Sequence, residues 1–104
     1  MHISIEDASE RLSKSEKQFI ELFKSGTLRV EFYKPNDVDL QKPHDMDEIY
    51  LIASGEGAFI NNGVSVNFKS GDFLFVKAGI EHRFINFTND FSTWVFFYGP
   101  KVGE

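Results

Sequence analysis

Two hydrophobic periods divide the chain. Over residues 5–26 the apolar positions recur at helical spacing, with Phe19, Leu22 and Phe23 on one face and Ile20 at its edge. Ser15 precedes the run EKQFIELFK as an N-cap, and Gln18 takes the reciprocal position of a capping box. Gly26 then reads as a C-terminal stop. The pattern predicts an N-terminal helical extension over 1–26, one amphipathic segment that packs on something larger.

From Leu28 the period is two. Leu28, Val30 and Phe32 alternate with Arg29, Glu31 and Tyr33, and Val64, Val66 and Phe68 with Ser65, Asn67 and Lys69. Further short runs, Glu48 to Ala53, Ala58 to Ile60, Phe73 to Val76, His82 to Phe87 and Thr93 to Tyr98, are separated by turn residues. Asn61-Asn62-Gly63 is a hairpin signal, because Asn and Gly tolerate positive φ. It is expected to form an exposed tip remote from any site. Seven or eight short strands with no helical crossover after residue 26 predict an all-β sandwich or small barrel over 27–99, not a parallel α/β fold.

Length and composition sharpen this picture. The 104 residues suffice for one domain with its own core, spanning 1–104. Sixteen acidic against eleven basic residues give a net charge of -5, which disfavours nucleic acid and anionic membrane surfaces as partners. Cysteine is absent, which excludes disulfides, Cys-ligated metal and a thiol nucleophile. No apolar run reaches signal or membrane-span length, so a cytoplasmic location is the default expectation. Twelve Phe, three Tyr and one Trp supply large core fillers suited to strands.

The candidate chemistry lies in a few polar residues next to turns. His44 and His82 stand in the β region, and Glu48 follows His44 by four residues. On one straight strand that gap would separate the Cα atoms by about 13 Å, too far to share an ion. A bend at Asp45-Met46-Asp47 would bring His44 and Glu48 together, with His82 supplied by another hairpin. Two imidazoles and a carboxylate are a familiar ligand set for zinc and non-haem iron. By spacing alone, however, His44 reads first as a turn histidine bonded to an acidic neighbour. His82 reads as a strand-edge histidine and Glu48 as an exposed or paired carboxylate. On alternation Glu48, Tyr50 and Ile52 share a face, as do His82, Phe84 and Asn86, and Trp94, Phe96 and Tyr98. Core packing accounts for these aromatics. The sharper reading is an apolar pocket with a polar centre, lined by Tyr50, Phe84, Phe75, Trp94 and Phe96.

Two stretches, NDVDLQKPHDMDEIYLIASG and GDFLFVKAGIEHRFIN, carry a resemblance. They resemble the paired motifs of the cupin superfamily, in its small single-domain conserved-barrel group. His44 takes the second histidine position of the first motif, Glu48 the glutamate and Gly55 the closing glycine. Gly71, Gly79, His82 and Asn86 match the second motif. Three positions depart from the two motifs: in the first, Lys42 replaces the first histidine and Asn36 the first glycine, and in the second, Lys77 replaces the proline. The resemblance implies a small double-stranded β-helix, the cupin or jelly-roll barrel, with a short N-terminal helical segment. It also implies a divalent metal held by His44, Glu48 and His82, with zinc, iron, manganese and nickel all open. A protonated Lys42 has no lone pair to contribute.

On this reading the chain is a metal-binding cupin acting on a small-molecule ligand or substrate. Dioxygenase, isomerase and decarboxylase chemistries are all implied by the resemblance, and no catalytic residue chooses among them. The rival readings are a non-enzymatic module that binds or senses a sugar or metabolite, and a structural protein with a filled barrel core. A homodimer is expected, because both faces of Trp94-Val95-Phe96-Phe97-Tyr98 are apolar and one interior cannot bury them all.

Overall fold

The computed structural model describes residues 1–39 and 41–101. Helix α1 runs from Ile5 to Ser15, half the length that the periodicity predicts. Its cap is Ser4, whose side chain accepts from the Asp7 amide at 3.0 Å while Asp7 reaches back to the Ser4 amide at 3.3 Å. Ser15 lies at the other end, its hydroxyl donating to the Leu12 carbonyl, and Glu16 closes the helix in the left-handed region. Phe19–Ser25 is strand β1, paired antiparallel with β2 (Leu28–Tyr33) through a turn at Gly26 and Thr27.

The helical reading of this stretch fails for an identifiable reason. The β1–β2 register shifts between Glu21 and Phe23, so Leu22 is an extra, bulged residue. Ile20 stands opposite Phe32 and Phe23 opposite Val30. The bulge resets the alternation, so that the apolar residues at 20, 22 and 23 share the face toward α1. Leu22 and Phe23 thus stay on one face as a helix would place them, whereas Phe19, the third member of the predicted stripe, stands opposite Tyr33 and is 51% exposed.

The remaining strands are β3 (Asp47–Ser54), β4 (Glu56–Asn61), β5 (Val64–Lys69), β6 (Phe73–Val76), β7 (His82–Ile85) and β8 (Ser92–Tyr98). Two antiparallel sheets result, one in the order β1-β2-β8-β3-β6 and one in the order β5-β4-β7. This is a jelly-roll arrangement, built from two packed sheets. Their facing sides make one core: Tyr50, Ile52, Val95 and Phe97 from the larger sheet meet Phe59, Phe68 and Phe84 from the smaller, with Phe91 between them. The rings pack edge-on or tilted, Phe59–Phe84 and Phe84–Phe91 at 4.6 Å between centroids and Tyr50–Phe84 at 4.8 Å.

The outer face of the larger sheet carries a second apolar layer. Ala8 and Leu12 of α1 cover Phe32, with Ile20, Leu22 and Trp94 at the margin. The helix reaches only one end of that face. Cross-strand rows running from Phe32 through Trp94 and Leu51 to Phe73, and from Val30 through Phe96 and Ile49 to Phe75, extend beyond it.

Three expected pocket-lining aromatics therefore lie on the wrong side of the sheet. Phe75 is outward and 43% exposed. Trp94 packs edge-on against Phe32 at 5.2 Å, and Phe96 lines an open apolar hollow with Met1, Ile3, Phe23 and Leu51. Val95 and Phe97, the intervening residues, face the core. The two-residue period is as predicted; which face is inward is decided by Glu48 and Tyr50, which pair in register with Phe97 and Val95.

Two glycines are demanded by packing, and at Gly57 a Cβ would stand 2.8 Å from the Phe87 Cα. Gly55 turns β3 into β4 at φ +84, and a Cβ there would stand 2.5 Å from the Phe91 Cα. The close approach seats Phe91 in the core beneath the turn.

Candidate metal centre

Three elements converge at one end of the core. Glu48 is the second residue of β3 and points inward with 1% of its surface exposed. His82 opens β7 and is also buried. His44 lies in the loop before β3. The chain bends at Asp45 and Met46, and the bend is tied to the turn before His82. The Gly79 amide donates to the His44 carbonyl at 2.8 Å, and the Ala78 amide to Asp47 Oδ1 at 2.9 Å. Asp47 is thus part of the clasp that brings the two histidines together.

His44, Glu48 and His82 each offer a donor atom within 4.8 Å of the others. His82 Nε2 stands 3.1 Å from Glu48 Oε1 and His44 Nε2 stands 3.8 Å from it. The His44 ring rests edge-on against Phe97 at 4.9 Å, and the two imidazoles lie 5.5 Å apart. The Ile80 carbonyl accepts from His82 Nδ1 at 2.9 Å, which directs Nε2 at the carboxylate.

Burial sets the protonation preferences. His44 is shifted downward by burial, helped by the positive charges of His82 and Arg29 against the pull of Glu48. For His82 burial also works downward, but the Glu48 carboxylate and the Ile80 carbonyl outweigh it and raise the imidazole. The Tyr50 phenol is raised well above its ordinary value by burial and by the Glu48 charge, and so stays neutral.

The carboxylate is the anomaly. Its contact with His82 is short and the Tyr50 hydroxyl is near enough to feel its charge, yet among the described residues neither Glu48 oxygen completes a hydrogen bond of good geometry. A buried carboxylate with unsatisfied lone pairs is costly unless a cation meets it. Donors held at about 2.1 Å around one ion stand about 3.0–3.4 Å apart. The His82–Glu48 separation already meets this, the His44–Glu48 separation exceeds it by a few tenths of an ångström, and the donor set as a whole spans up to 4.8 Å, so His44 must swing inward to share one ion. Orphaned oxygens, two inward imidazole nitrogens and their spacing fit a divalent metal.

Two neighbours have no counterpart in the sequence reading. Asp39 is 4% exposed and accepts four hydrogen bonds, from the Tyr33 hydroxyl at 2.6 Å, the Phe84 amide at 2.8 Å, and the Gln41 backbone and side-chain amides. Gln41 Oε1 in turn accepts from the Tyr50 hydroxyl at 2.8 Å and stands 3.3 Å from His44 Nε2. The Tyr50 hydroxyl also lies 3.1 Å from His82 Nε2. Of the expected pocket aromatics, Tyr50 alone brings a polar atom to the donors; Phe84 is packed in the core.

Lys42 is exposed and borders a cavity of about 570 Å³ with Asp39, Gln41, His82 and Gly63. The Asn61-Asn62-Gly63 turn is exposed, with φ of +53 and +81 at its two central residues, but it is not remote from the site. Asn61 pairs with His82 across the sheet, and the Asn62 amide donates to the Glu81 carbonyl.

Residues 29–98 match the cupin domain family, and the chain belongs to it. It is 33% identical over 63 residues to an uncharacterised protein, SCO3923, of Streptomyces coelicolor, covering 61% of this chain and 60% of that one. It is 38% identical over 61 residues to the oxalate-binding protein of Thermotoga maritima, covering 59% of this chain and 50% of that one. The match thus spans between half and three-fifths of these relatives' length. Among solved structures, a protein of unknown function from Rhizobium leguminosarum superposes with a TM-score of 0.70 at 18% identity, covering 96% of this chain and 97% of that one. That likeness is one of fold.

Proposed function

We propose that this cupin holds a divalent metal at His44, Glu48 and His82 and uses it to bind a small organic acid. The observation that carries the reading is the buried Glu48 carboxylate, which completes no hydrogen bond of good geometry among the described residues and lies between two inward-directed imidazoles. A metal bound there would act as a Lewis acid toward an oxygen-donor ligand. With one anionic ligand residue the loaded centre keeps a net positive charge, which favours a carboxylate. The oxalate-binding relative supports the same ligand class.

The aromatic core behind the site is filled, so the ligand approaches from the open end. Arg29 stands near the site, its guanidinium 4.6 Å from the centre of the Phe97 ring, which also packs against His44. Binding without turnover is the simpler form of this reading; dioxygenation, isomerisation and decarboxylation remain reactions that the metal could support. The test is titration calorimetry of oxalate into metal-loaded and metal-stripped protein. Binding that requires the metal supports the proposal, and equal binding by both forms contradicts it.

The uncovered outer face of the larger sheet supports a second copy of the chain as partner. Leu51, Phe73 and Phe75 are 38%, 63% and 43% exposed there, on adjacent strands and continuous with Trp94 and Phe96. An apolar patch of this kind suits the self-complementary contact of a two-fold dimer.

A further inference from the structure

The family's first motif places a histidine where this chain has Lys42, and Lys42 is turned to the surface. The residue beside it is not. We propose that the Gln41 side-chain carbonyl oxygen is the fourth protein ligand of the metal centre, an amide oxygen in place of the missing imidazole. The proposal rests on the metal reading given above.

Three observations converge on it. The first is position: Gln41 Oε1 stands 3.3 Å from His44 Nε2, the separation of adjacent ligands around one ion. The Tyr50 hydroxyl, 2.8 Å from Oε1, is itself 3.1 Å from His82 Nε2, so the oxygen belongs to the same cluster. The second is orientation. The Gln41 amide nitrogen donates to Asp39 Oδ2 at 2.9 Å, which turns the oxygen toward the histidines and keeps the amide from flipping. Asp39 is in turn immobilised by the Tyr33 hydroxyl and the Phe84 amide, so the orienting chain is anchored in both sheets. The third is capacity. An amide oxygen has two lone pairs: the Tyr50 hydroxyl takes one, and the other, which faces His44 Nε2, is open to an ion when that nitrogen is itself a ligand and carries no proton.

The consequence is a harder centre than three imidazoles and a carboxylate would give. Two nitrogens and two oxygens, one of them neutral, shift preference toward oxygen-loving ions such as manganese and ferrous iron over copper. The amide adds no charge, so the loaded site keeps the positive balance that attracts an organic acid.

The test uses Co²⁺ as a probe on tag-free full-length protein, with affinity from chelator competition and coordination from the visible d–d spectrum. Gln41→Ala removes the oxygen; Gln41→Met removes it while keeping the side-chain volume, should the smaller residue unsettle the loop. Lys42→Ala is the control. The expected result is Co²⁺ binding about tenfold or more weaker in both Gln41 variants, with an altered d–d spectrum, and parent-like behaviour for Lys42→Ala. Weakened binding with an unchanged spectrum would mean that Gln41 only steadies Asp39 and Tyr50, and would overturn the ligand assignment. So would parent-like binding by both variants. A parent that takes up no Co²⁺ overturns the metal reading itself, and the Gln41 assignment with it.

Discussion

His82 Nε2 and Glu48 Oε1 face each other at 3.1 Å with both side chains closed to solvent, yet among the described residues the carboxylate completes no hydrogen bond of good geometry. A pair of this kind is a poor source of stability, because desolvating the two groups opposes their attraction. It reads as a site kept for binding at a cost to the fold.

Glu48→Gln is therefore expected to separate stability from function. An amide is cheaper to bury than a carboxylate, and His82 can revert to the neutral imidazole when its partner is removed. The metal-free variant should be at least as stable as the metal-free parent, by up to about 2 kcal/mol, in urea unfolding, while losing metal uptake. A variant several kcal/mol less stable would show that the pair holds the fold together.

Gly55 and Gly63 both have positive φ but differ in surroundings. An added Cβ at Gly55 meets the Phe91 backbone at 2.5 Å, whereas none of the described residues comes within 4 Å of one at Gly63. Gly55→Ala should cost about 2–4 kcal/mol, combining backbone strain with overpacking. Gly63→Ala should cost only the backbone part, about 1–2 kcal/mol. Equal urea midpoints for the two variants would refute the distinction.

Tyr33 links stability to alkaline pH. Burial, with the Asp39 carboxylate at 2.6 Å, raises its phenol above the ordinary value. The unfolded chain ionises near pH 10 while the folded one holds its proton, so the unfolded state binds fewer protons above that pH. The contribution is complete below about pH 10 and is lost as the pH climbs toward the folded value. The melting temperature should fall above pH 10, and Tyr33→Phe should flatten that fall. The buried Tyr50 phenol, raised in the same direction, leaves a residual slope in the variant. A slope unchanged by Tyr33→Phe would contradict the assignment.

The outer face of the larger sheet predicts the oligomeric state. Sedimentation at micromolar concentration should give a dimer for the parent. Leu51→Glu combined with Phe73→Glu should give a folded monomer, because charge on the apolar row opposes its burial. A monomeric parent would remove the dimer from the account.

Much of this molecule was legible in its sequence, and the misreadings have local causes. From Leu28 onward the alternation and turn residues located β2 to β8 closely, because a period of two survives wherever one face is buried. The N-terminal segment misled because a bulge at Leu22 placed Ile20, Leu22 and Phe23 on one face. Alternation also cannot say which face is inward: Phe75, Trp94 and Phe96 share strands with core residues but look outward. The convergence of His44, Glu48 and His82 was readable from the paired motifs. Asp39 and Gln41 were not, since their roles depend on partners distant in sequence, such as the Phe84 amide for Asp39. The inward Arg29 and Glu31 were visible only as the polar side of an alternating strand.

The central claim is that the His44–Glu48–His82 cluster holds a divalent metal. The direct measurement is elemental analysis of tag-free protein, after reconstitution with iron, manganese, nickel or zinc under reducing conditions, for the parent and for His44→Ala, Glu48→Ala and His82→Ala. The account predicts near-stoichiometric metal in the parent and a large loss in each folded variant. A folded parent that retains none of the four metals would contradict it.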